Sequence, residues 1–188
     1  MKVLMMLLRL ILCSSIFLLT SNNSYANKLS LGIGGYSVDA NVGNEATNIT
    51  NIGAYKIQYH SKIEEQFELI LGYTVLIEQI YKGDKSFGPF IGFSYYPFGS
   101  NTVSHSKVSN ISILNIKQLN PYIYTGFSQR QYQSVKATYS GFSFGGGAEL
   151  GLNKAISLFS DFQYGLLEGP NAGEATEITA VAGIMYNY

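Results

Sequence analysis

The sequence predicts an all-β fold, an eight-stranded antiparallel up-and-down transmembrane β-barrel. Three observations lead to this fold class. Apolar residues recur at every second position, not every 3.6 positions, in almost all of the chain after residue 26. Charged residues make up 13% of the chain, where about 25% is usual. No segment after residue 26 has the roughly 18 consecutive apolar residues of a membrane helix, which leaves a closed barrel as the way to span a bilayer.

Residues 1–26 predict a cleaved secretory signal peptide. A basic start and a mostly apolar run over residues 3–19 precede a small-x-small cleavage site that ends at Ala26. An uncleaved anchor is the alternative, but the apolar run is shorter than the roughly 20 residues of a spanning helix. Cleavage leaves one domain, residues 27–188, which is the predicted barrel.

The composition of residues 27–188 excludes several kinds of protein. This part has 10 basic and 12 acidic residues, a net charge of −2, and no cysteine. It therefore has no basic patch for nucleic acid and no thiols for disulfides or a thiolate metal site. We expect no cofactor.

The period-two pattern divides residues 27–188 into eight strands, each longer than the roughly 9–11 residues that a tilted membrane strand needs. The predicted strands are 28–38, 50–61, 64–80, 85–98, 120–132, 138–152, 154–168 and 174–188. Sixteen strands would need about 160 residues for strands alone, so a large porin does not fit. We expect Pro89 and Pro121 at strand starts, because proline is rare inside sheets.

Alternation alone does not distinguish a membrane barrel from a soluble one, and the composition of the two faces favours the membrane. One face is mostly apolar, as in the row Phe67, Leu69, Leu71, Tyr73, Val75 and Ile77 and the row Ile156, Leu158, Ser160, Phe162, Tyr164 and Leu166. The other face is mostly small or uncharged, which fits a narrow interior and lacks the charges of a soluble surface. Aromatic girdles at the membrane interfaces are expected from tyrosines near strand ends: Tyr36, Tyr59, Tyr81, Tyr95, Tyr132, Tyr139, Tyr186 and Tyr188.

The connections between predicted strands alternate in length. Short turns are expected near 61–63 and Asn153. Outer loops that are longer or richer in Gly, Pro, Asn and Asp are expected near 39–49, 81–85, 133–137 and 169–173. This matches outer-membrane barrels whose chain ends both lie in the periplasm. Residues 99–119 are too long for a periplasmic turn, and the sequence leaves open whether they extend a strand or form a short packed plug.

One segment, SGFSFGGGAELGLNKAISLFSDFQYG (140–165), resembles the small outer-membrane β-barrel family, which includes opacity-protein-like and outer-membrane-protein-X-like barrels. A Gly-rich strand ends in a lumenal acid, and after a tight turn the next strand carries a second acid. Glu149 and Asp161 occupy these two places. The resemblance implies an eight-stranded barrel in the outer membrane of a Gram-negative bacterium, and residues 99–119 depart from it.

Charged side chains are predicted on the inward face, where a narrow lumen makes an unpaired charge costly. They are Lys56, Glu68, Arg130, Glu149, Asp161 and Glu177. We expect ion pairs among them, and a packed polar core that fixes strand register is favoured over an ion path. Because four acids face two bases, one acid is expected to be protonated or to face water near a rim.

No catalytic set emerges from the sequence. His60 and His105 are the histidines, both are expected as solvated residues at the periplasmic end, and His105-Ser106 has no identifiable acid partner. Two distant histidines without cysteine are too few ligands for a metal site. We expect no enzyme.

The function expected is therefore a structural or surface-interaction role in the outer membrane. Outer-membrane lipid would surround the barrel, and a host or cell-surface ligand would meet the outer loops. A narrow channel for small solutes and a lipid A-modifying enzyme are the alternatives.

The chain ends in VAGIMYNY, which is apolar and continues the strand pattern to its last residue. Gly183, Tyr186 and Tyr188 resemble the C-terminal signal read by the barrel-assembly machinery, a glycine followed by aromatics at the third and fifth places. We expect this segment to be the closing strand as well as the assembly signal.

Overall fold

The computed structural model describes residues 27–42, 45–79, 84–100, 103–108, 111–116, 119–134 and 136–188. The predicted signal peptide lies outside these residues. Within them, no helix is long and apolar enough to cross a membrane. The elements are β1 (Lys28–Val42), β2 (Glu45–Lys62), β3 (Phe67–Gln79), β4 (Asp84–Tyr95), β5 (Val103–Val108), β6 (Ile111–Ile116), β7 (Asn120–Tyr132), β8 (Ala137–Gly151), β9 (Ile156–Glu168), a 3-10 turn (Pro170–Ala172) and β10 (Glu174–Asn187).

Eight of the strands form a closed barrel in the order β1-β10-β9-β8-β7-β4-β3-β2, and every neighbouring pair is antiparallel. The closure joins the first strand to the last, from Lys28 opposite Asn187 to Asn41 opposite Glu174. The predicted fold class is confirmed. We call the end that carries Lys28 and Asn187 the terminal end and the opposite end the distal end.

The long segment between β4 and β7 forms a separate element. β5 and β6 pair only with each other in the described ladders, from Val103 opposite Ile116 to Val108 opposite Ile111. The segment is therefore a hairpin at the terminal end, and the barrel keeps an even number of strands. Its side chains, including those of His105 and Ser106, are outside the described part.

One distal connection is much shorter than the loop that we expected near residues 39–49. β1 runs to Val42 and β2 begins at Glu45, so most of the predicted loop at 39–49 is strand. The 133–136 and 169–173 connections have four and five residues, against four in each of the terminal-end turns 63–66 and 152–155. Residues 80–83 lie outside the described part. The Asn-rich and Asp-containing stretch looked like a loop by propensity, but pairing between two adjacent strands outweighs weak β-propensity.

The two faces of the barrel wall are inverted relative to a soluble protein. Charged and polar side chains are buried inside, whereas large apolar side chains such as Leu31, Phe142, Phe162 and Ile184 are 51–71% exposed outside. The outward row of β9 from Ile156 to Leu166 spans ten residue steps, about 34 Å along the strand. At a tilt of about 40° this row rises about 26 Å, close to the roughly 25 Å apolar band of outer-membrane barrels.

Three of the eight expected girdle tyrosines are not at the membrane surface. Tyr36, Tyr132 and Tyr139 are 1–5% exposed and pack inside the distal half of the barrel. The strand alternation turns them inward, and nearness to a strand end does not reveal this. Tyr186 and Tyr188 are exposed and stack with ring centroids 6.0 Å apart, while Tyr81 lies outside the described residues.

The two prolines occupy different places in their strands. Pro121 is the second residue of β7, as expected, whereas Pro89 lies in the interior of β4. The β4–β7 ladder passes from the pair Phe87–Gln131 to the pair Phe90–Ser128 without a pair at Pro89. Since proline has no N–H to donate, the ladder is interrupted where Pro89 would have to contribute.

Candidate functional site

The six charged residues that the sequence places on the inward face are all 0–5% exposed in the lumen. The structure brings them together as three clusters along the barrel rather than as one. The clusters are centred on Glu149, Asp161 and Glu177, and each contains a carboxylate within 3.0 Å of a Lys or Arg nitrogen.

The terminal cluster joins two acids through one lysine. Lys28 Nζ lies 2.9 Å from Glu149 Oε1 and 3.0 Å from Glu68 Oε1. His60 Nδ1 lies 3.3 Å from Glu68 Oε2. The Tyr96 hydroxyl donates to Glu149 Oε1 at 2.6 Å, and Lys28 Nζ stands 4.4 Å from the centre of the Tyr96 ring. Each carboxylate thus has a cationic or hydroxyl neighbour, which offsets the cost of burying its charge.

Tyr96 lies buried at the terminal end of the lumen. It follows β4, is 0% exposed, and its backbone N–H donates to Gln66 O at 2.8 Å. Four residues later Ser100 N–H donates to Glu65 O at 2.7 Å, so the chain leaving β4 is tied to the neighbouring turn. Burial, and then the negative charge of Glu149, raise the pKa of the Tyr96 phenol well above its ordinary value. The phenol therefore remains a hydrogen-bond donor.

The middle cluster surrounds one aspartate with a lysine and two tyrosines. Lys56 Nζ lies 2.6 Å from Asp161 Oδ1. Tyr124 donates to the same oxygen at 2.9 Å, and Tyr122 donates to Asp161 Oδ2 at 3.3 Å. Both carboxylate oxygens therefore accept hydrogen bonds, as a buried carboxylate requires.

The Gly-rich stretch of β8 makes room for these tyrosines. A Cβ atom at Gly145 would lie 2.6 Å from the Tyr124 hydroxyl oxygen, and one at Gly147 would lie 2.6 Å from the Tyr122 hydroxyl oxygen. Two inward glycines of β8 thus leave space for two phenol rings of the neighbouring strand β7. The repeated glycines in this segment therefore permit the contacts with Asp161.

The distal cluster is an arginine–glutamate pair. Arg130 Nε and Nη2 donate to the Glu177 carboxylate at 2.9–3.1 Å, and Tyr132 donates to Glu177 Oε2 at 3.3 Å. Arg130 Nη1 donates to Gly88 O at 3.2 Å and to Gln129 O at 3.1 Å. These carbonyls flank the interruption at Pro89, so the guanidinium replaces ladder bonds that the strands do not make there.

Several residues of these clusters were not among the six that the sequence predicted. Lys28 is 2% exposed and supplies a base that the expected count of acids and bases lacked. The sequence could have indicated that Lys28 faces inward, because Leu29 and Leu31 belong to the apolar row on the other face. Its position at a strand start made this less evident. His60 is 1% exposed, so the expectation of a solvated turn histidine is wrong. Tyr96, Tyr122 and Tyr124 could be assigned only once strand register was known.

Ser30, His60 and Glu68 lie in the order of a nucleophile, a base and an acid. Ser30 Oγ lies 3.4 Å from His60 Nε2, and the other ring nitrogen faces Glu68. All three residues are at most 1% exposed, and Lys28 contacts the same carboxylate. Among the described residues, this set is therefore part of the packed terminal end of the lumen. Among the described residues, no group of three or more His, Cys, Asp and Glu side chains is arranged to hold a metal ion.

Comparison with known proteins bears on the fold. No protein-family model and no curated protein matches the chain. The crystal structure of Neisserial surface protein A (NspA) matches with a TM-score of 0.51 and 11% identity over 88% of this chain and 100% of that one. The N-terminal β-barrel domain of Pseudomonas aeruginosa OprF matches with a TM-score of 0.50 and 11% identity over 87% and 97%. The chain has the fold of the small outer-membrane β-barrels. At this identity the likeness concerns fold alone, which agrees with the resemblance seen in residues 140–165.

Proposed function

We propose that the protein is an integral outer-membrane β-barrel with a structural or surface-interaction role and without catalysis. The observation that carries the proposal is the placement of polar side chains inside the barrel wall and apolar side chains outside it. Ion-paired side chains fill the inside, and an apolar band about 26 Å tall covers the outside. Such a surface is stable only against lipid hydrocarbon, so outer-membrane lipid is the first partner of the barrel.

The filled lumen supports a barrel that does not conduct solutes. The three clusters succeed one another along the lumen, and buried rings such as Phe90, Tyr96 and Tyr139 occupy the space beside them. Eight-stranded barrels have interiors that side chains just fill. Among the described residues, side chains therefore occupy the lumen, which disfavours the narrow-channel alternative.

The distal rim supports a surface role. Above the apolar band, the outward face of the β1–β2 hairpin carries a side-chain ladder. Ser37 Oγ lies 3.1 Å from Thr50 Oγ1, Thr50 donates to Asn48 at 3.3 Å, and Asn48 Nδ2 donates to Asp39. These exposed polar groups require water or a polar partner, which supports a position of the hairpin outside the bilayer.

We expect the full chain to be recovered in the outer-membrane fraction and to migrate faster on a gel before boiling than after. The closed hydrogen-bonded wall resists detergent until it is heated, which gives this heat-dependent shift. Planar-bilayer recordings of the same purified protein should show no discrete conductance. Recovery in the soluble fraction would contradict the membrane proposal, and a reproducible conductance step would support the channel instead.

The C-terminal segment provides a test of assembly. Tyr186 pairs with Leu29 and Ile156, and Tyr188 exchanges backbone hydrogen bonds of 3.0 Å with Asn27. We expect removal of residues 186–188 to prevent barrel insertion, because it shortens the closing strand and removes Tyr186 and Tyr188 from the proposed signal for the barrel-assembly machinery.

The control for this truncation removes comparable apolar surface at the same end. A Leu150→Ala and Leu158→Ala double variant, which alters two exposed side chains that face each other across β8 and β9, should still insert. Membrane recovery and the heat-dependent gel shift report both outcomes. Normal insertion of the truncated chain would contradict the assembly role of Gly183, Tyr186 and Tyr188.

A further inference from the structure

The outer wall of the barrel carries a group of small side chains on the side formed by β8, β9 and β10. Five residues make up this group: Gly146 and Ala148 of β8, Ser160 of β9, and Ala180 and Ala182 of β10. Ala148 and Ala182 are the direct pairing partners of Ser160. All five face outward and belong to the described part of the chain, and we call them the outer trough.

Large apolar side chains border the outer trough. A depression of about 490 Å³ lies over the trough and is bordered by Ile33 and Phe162. Toward the terminal end it continues into a second depression, whose lining includes Leu31, Leu158 and Ile184. These bordering side chains are 41–67% exposed. The outer trough is therefore a groove in an apolar wall.

Ser160 interrupts the apolar row of β9. It is the third of the six outward residues from Ile156 to Leu166, so it lies near the middle of the apolar band. Its side chain is exposed, and its hydroxyl has no hydrogen-bond partner in the described part of the chain. By contrast, the outward Thr125 of β7 donates to Ser143 O at 3.3 Å. A single copy in lipid thus leaves the Ser160 hydroxyl unsatisfied in hydrocarbon, which is costly.

A two-fold axis through Ser160 makes this face complementary to itself. An axis along the membrane normal relates two copies in one bilayer and places equal heights opposite each other. The two Ser160 hydroxyls then meet and can form a hydrogen bond between the copies.

The same axis pairs large side chains with small ones. At a strand tilt of about 40°, Phe162 lies about 5 Å above Ser160 and about 4 Å to one side of it. The axis carries each Phe162 to the other side of the partner's Ser160. There the row of Ser160 continues with an alanine, because Ala148 and Ala182 flank it on its two sides. Each phenylalanine ring therefore meets a small side chain of the other copy.

The area of this face is sufficient for a dimer. Four strands, β1 and β8 to β10, lie about 4.8 Å apart and make the face about 19 Å wide, over an apolar band about 26 Å tall. Each copy contributes about 500 Å², and the two together about 1,000 Å², which is about the minimum for a specific interface. Small residues at the centre let the two backbones approach closely, and close packing drives association in lipid.

We propose that the outer trough is the centre of a two-fold interface between two copies of this chain in the membrane. A lipid acyl chain would also fill the depression, but hydrocarbon offers the Ser160 hydroxyl no hydrogen-bond partner. A second copy fills the depression and supplies that partner. This proposal rests on the proposed outer-membrane role and gives that role a lateral partner.

Disulfide cross-linking of the full chain in native outer membranes tests the proposal. Every variant carries Cys13→Ala, which removes the single cysteine of the chain. Ser160→Cys places one thiol at the axis, and oxidation with copper phenanthroline should link most of the chains into dimers. Thr125→Cys, at an outward position of β7, should give at least tenfold less dimer.

Matched substitutions separate a specific interface from collisions in a crowded membrane. Ala148→Leu with Ala182→Leu fills the trough on both sides of the Ser160→Cys thiol and should lower the yield of dimer at least tenfold. Val75→Leu with Thr125→Leu enlarges outward side chains of β3 and β7 and should leave the yield within twofold. The heat-dependent gel shift shows whether each variant is folded, and Ala182→Leu alone replaces the trough pair if that pair does not fold.

Three results would each overturn the dimer. They are folded Ser160→Cys barrels that stay unlinked, equal linking through Thr125→Cys, and trough substitutions that leave the yield unchanged. A product with the mass of this chain plus a different protein would also contradict it. Membrane fractionation of the same samples tests the membrane role separately. A chain absent from the outer membrane contradicts that role, whereas a folded and unlinked chain in the outer membrane contradicts the dimer alone.

Discussion

Replacing Arg130 with methionine should destabilise the barrel by about 3–5 kcal/mol, the cost of leaving one partner of a buried ion pair uncompensated. Arg130 is 0% exposed and makes three charge-assisted hydrogen bonds with Glu177. The same side chain also satisfies Gly88 O and Gln129 O beside the interrupted ladder. Its loss therefore leaves the Glu177 carboxylate without its cationic partner and removes this donor from the two carbonyls. Urea unfolding of the refolded barrel in detergent micelles, followed by the gel shift, measures the change.

A second variant distinguishes the loss of pairing from the loss of volume. Arg130→Met with Glu177→Leu removes both charges and should recover most of the stability, since apolar replacement of a buried pair is often neutral. Lys85→Met, at an exposed position of β4, should stay within about 0.5 kcal/mol of the parent. A loss below about 1 kcal/mol in Arg130→Met, or a double variant as unstable as the single, would show that the pair does not hold the distal half together.

Much of this architecture could be predicted from alternation, because a strand with one buried face must repeat every two residues. The apolar rows beginning at Phe67 and Ile156 face outward as predicted, and Glu149 and Asp161 lie inside as the family resemblance implied. Composition also indicated which face meets lipid. These properties are local, so a single sequence carries them.

Pairing partners could not be predicted because they depend on register across the barrel. Lys28 and Glu149 are 121 positions apart in the chain and meet only when β1 closes on β10. The height of a residue in the membrane also depends on the whole barrel rather than on the neighbouring sequence. Tyr132 and Tyr139 stand near strand ends, but those strands rise past the apolar band, and their rings turn into the lumen. The part of β2 at residues 45–49 was missed because turn-prone residues there are held by the adjacent β1.

Adding a methyl group at both Gly145 and Gly147 should disrupt the middle cluster and destabilise the barrel by several kcal/mol. A Cβ at either position would lie 2.1–2.2 Å from a β9 carbonyl oxygen and 2.6 Å from a Tyr124 or Tyr122 atom. Overpacking costs about 1–3 kcal/mol at each site. If the rings shift, Asp161 loses two hydroxyl donors, which adds about 1–3 kcal/mol for an undersatisfied buried carboxylate.

The glycine between these two is the matched control. Gly146 belongs to the outward row. A Cβ there would lie 2.9 Å from the backbone oxygen of Tyr122, and the next nearest atoms, both of Ile123, are at least 3.5 Å away. Gly146→Ala should therefore cost clearly less than either inward substitution. Urea midpoints of the three single variants and the Gly145→Ala, Gly147→Ala double variant give the comparison. If Tyr122→Phe with Tyr124→Phe leaves stability unchanged, the glycines serve ring packing alone, because the phenol bonds to Asp161 then contribute nothing measurable. Equal losses at all three glycines would instead mean that strand β8 needs flexibility rather than space for the two rings.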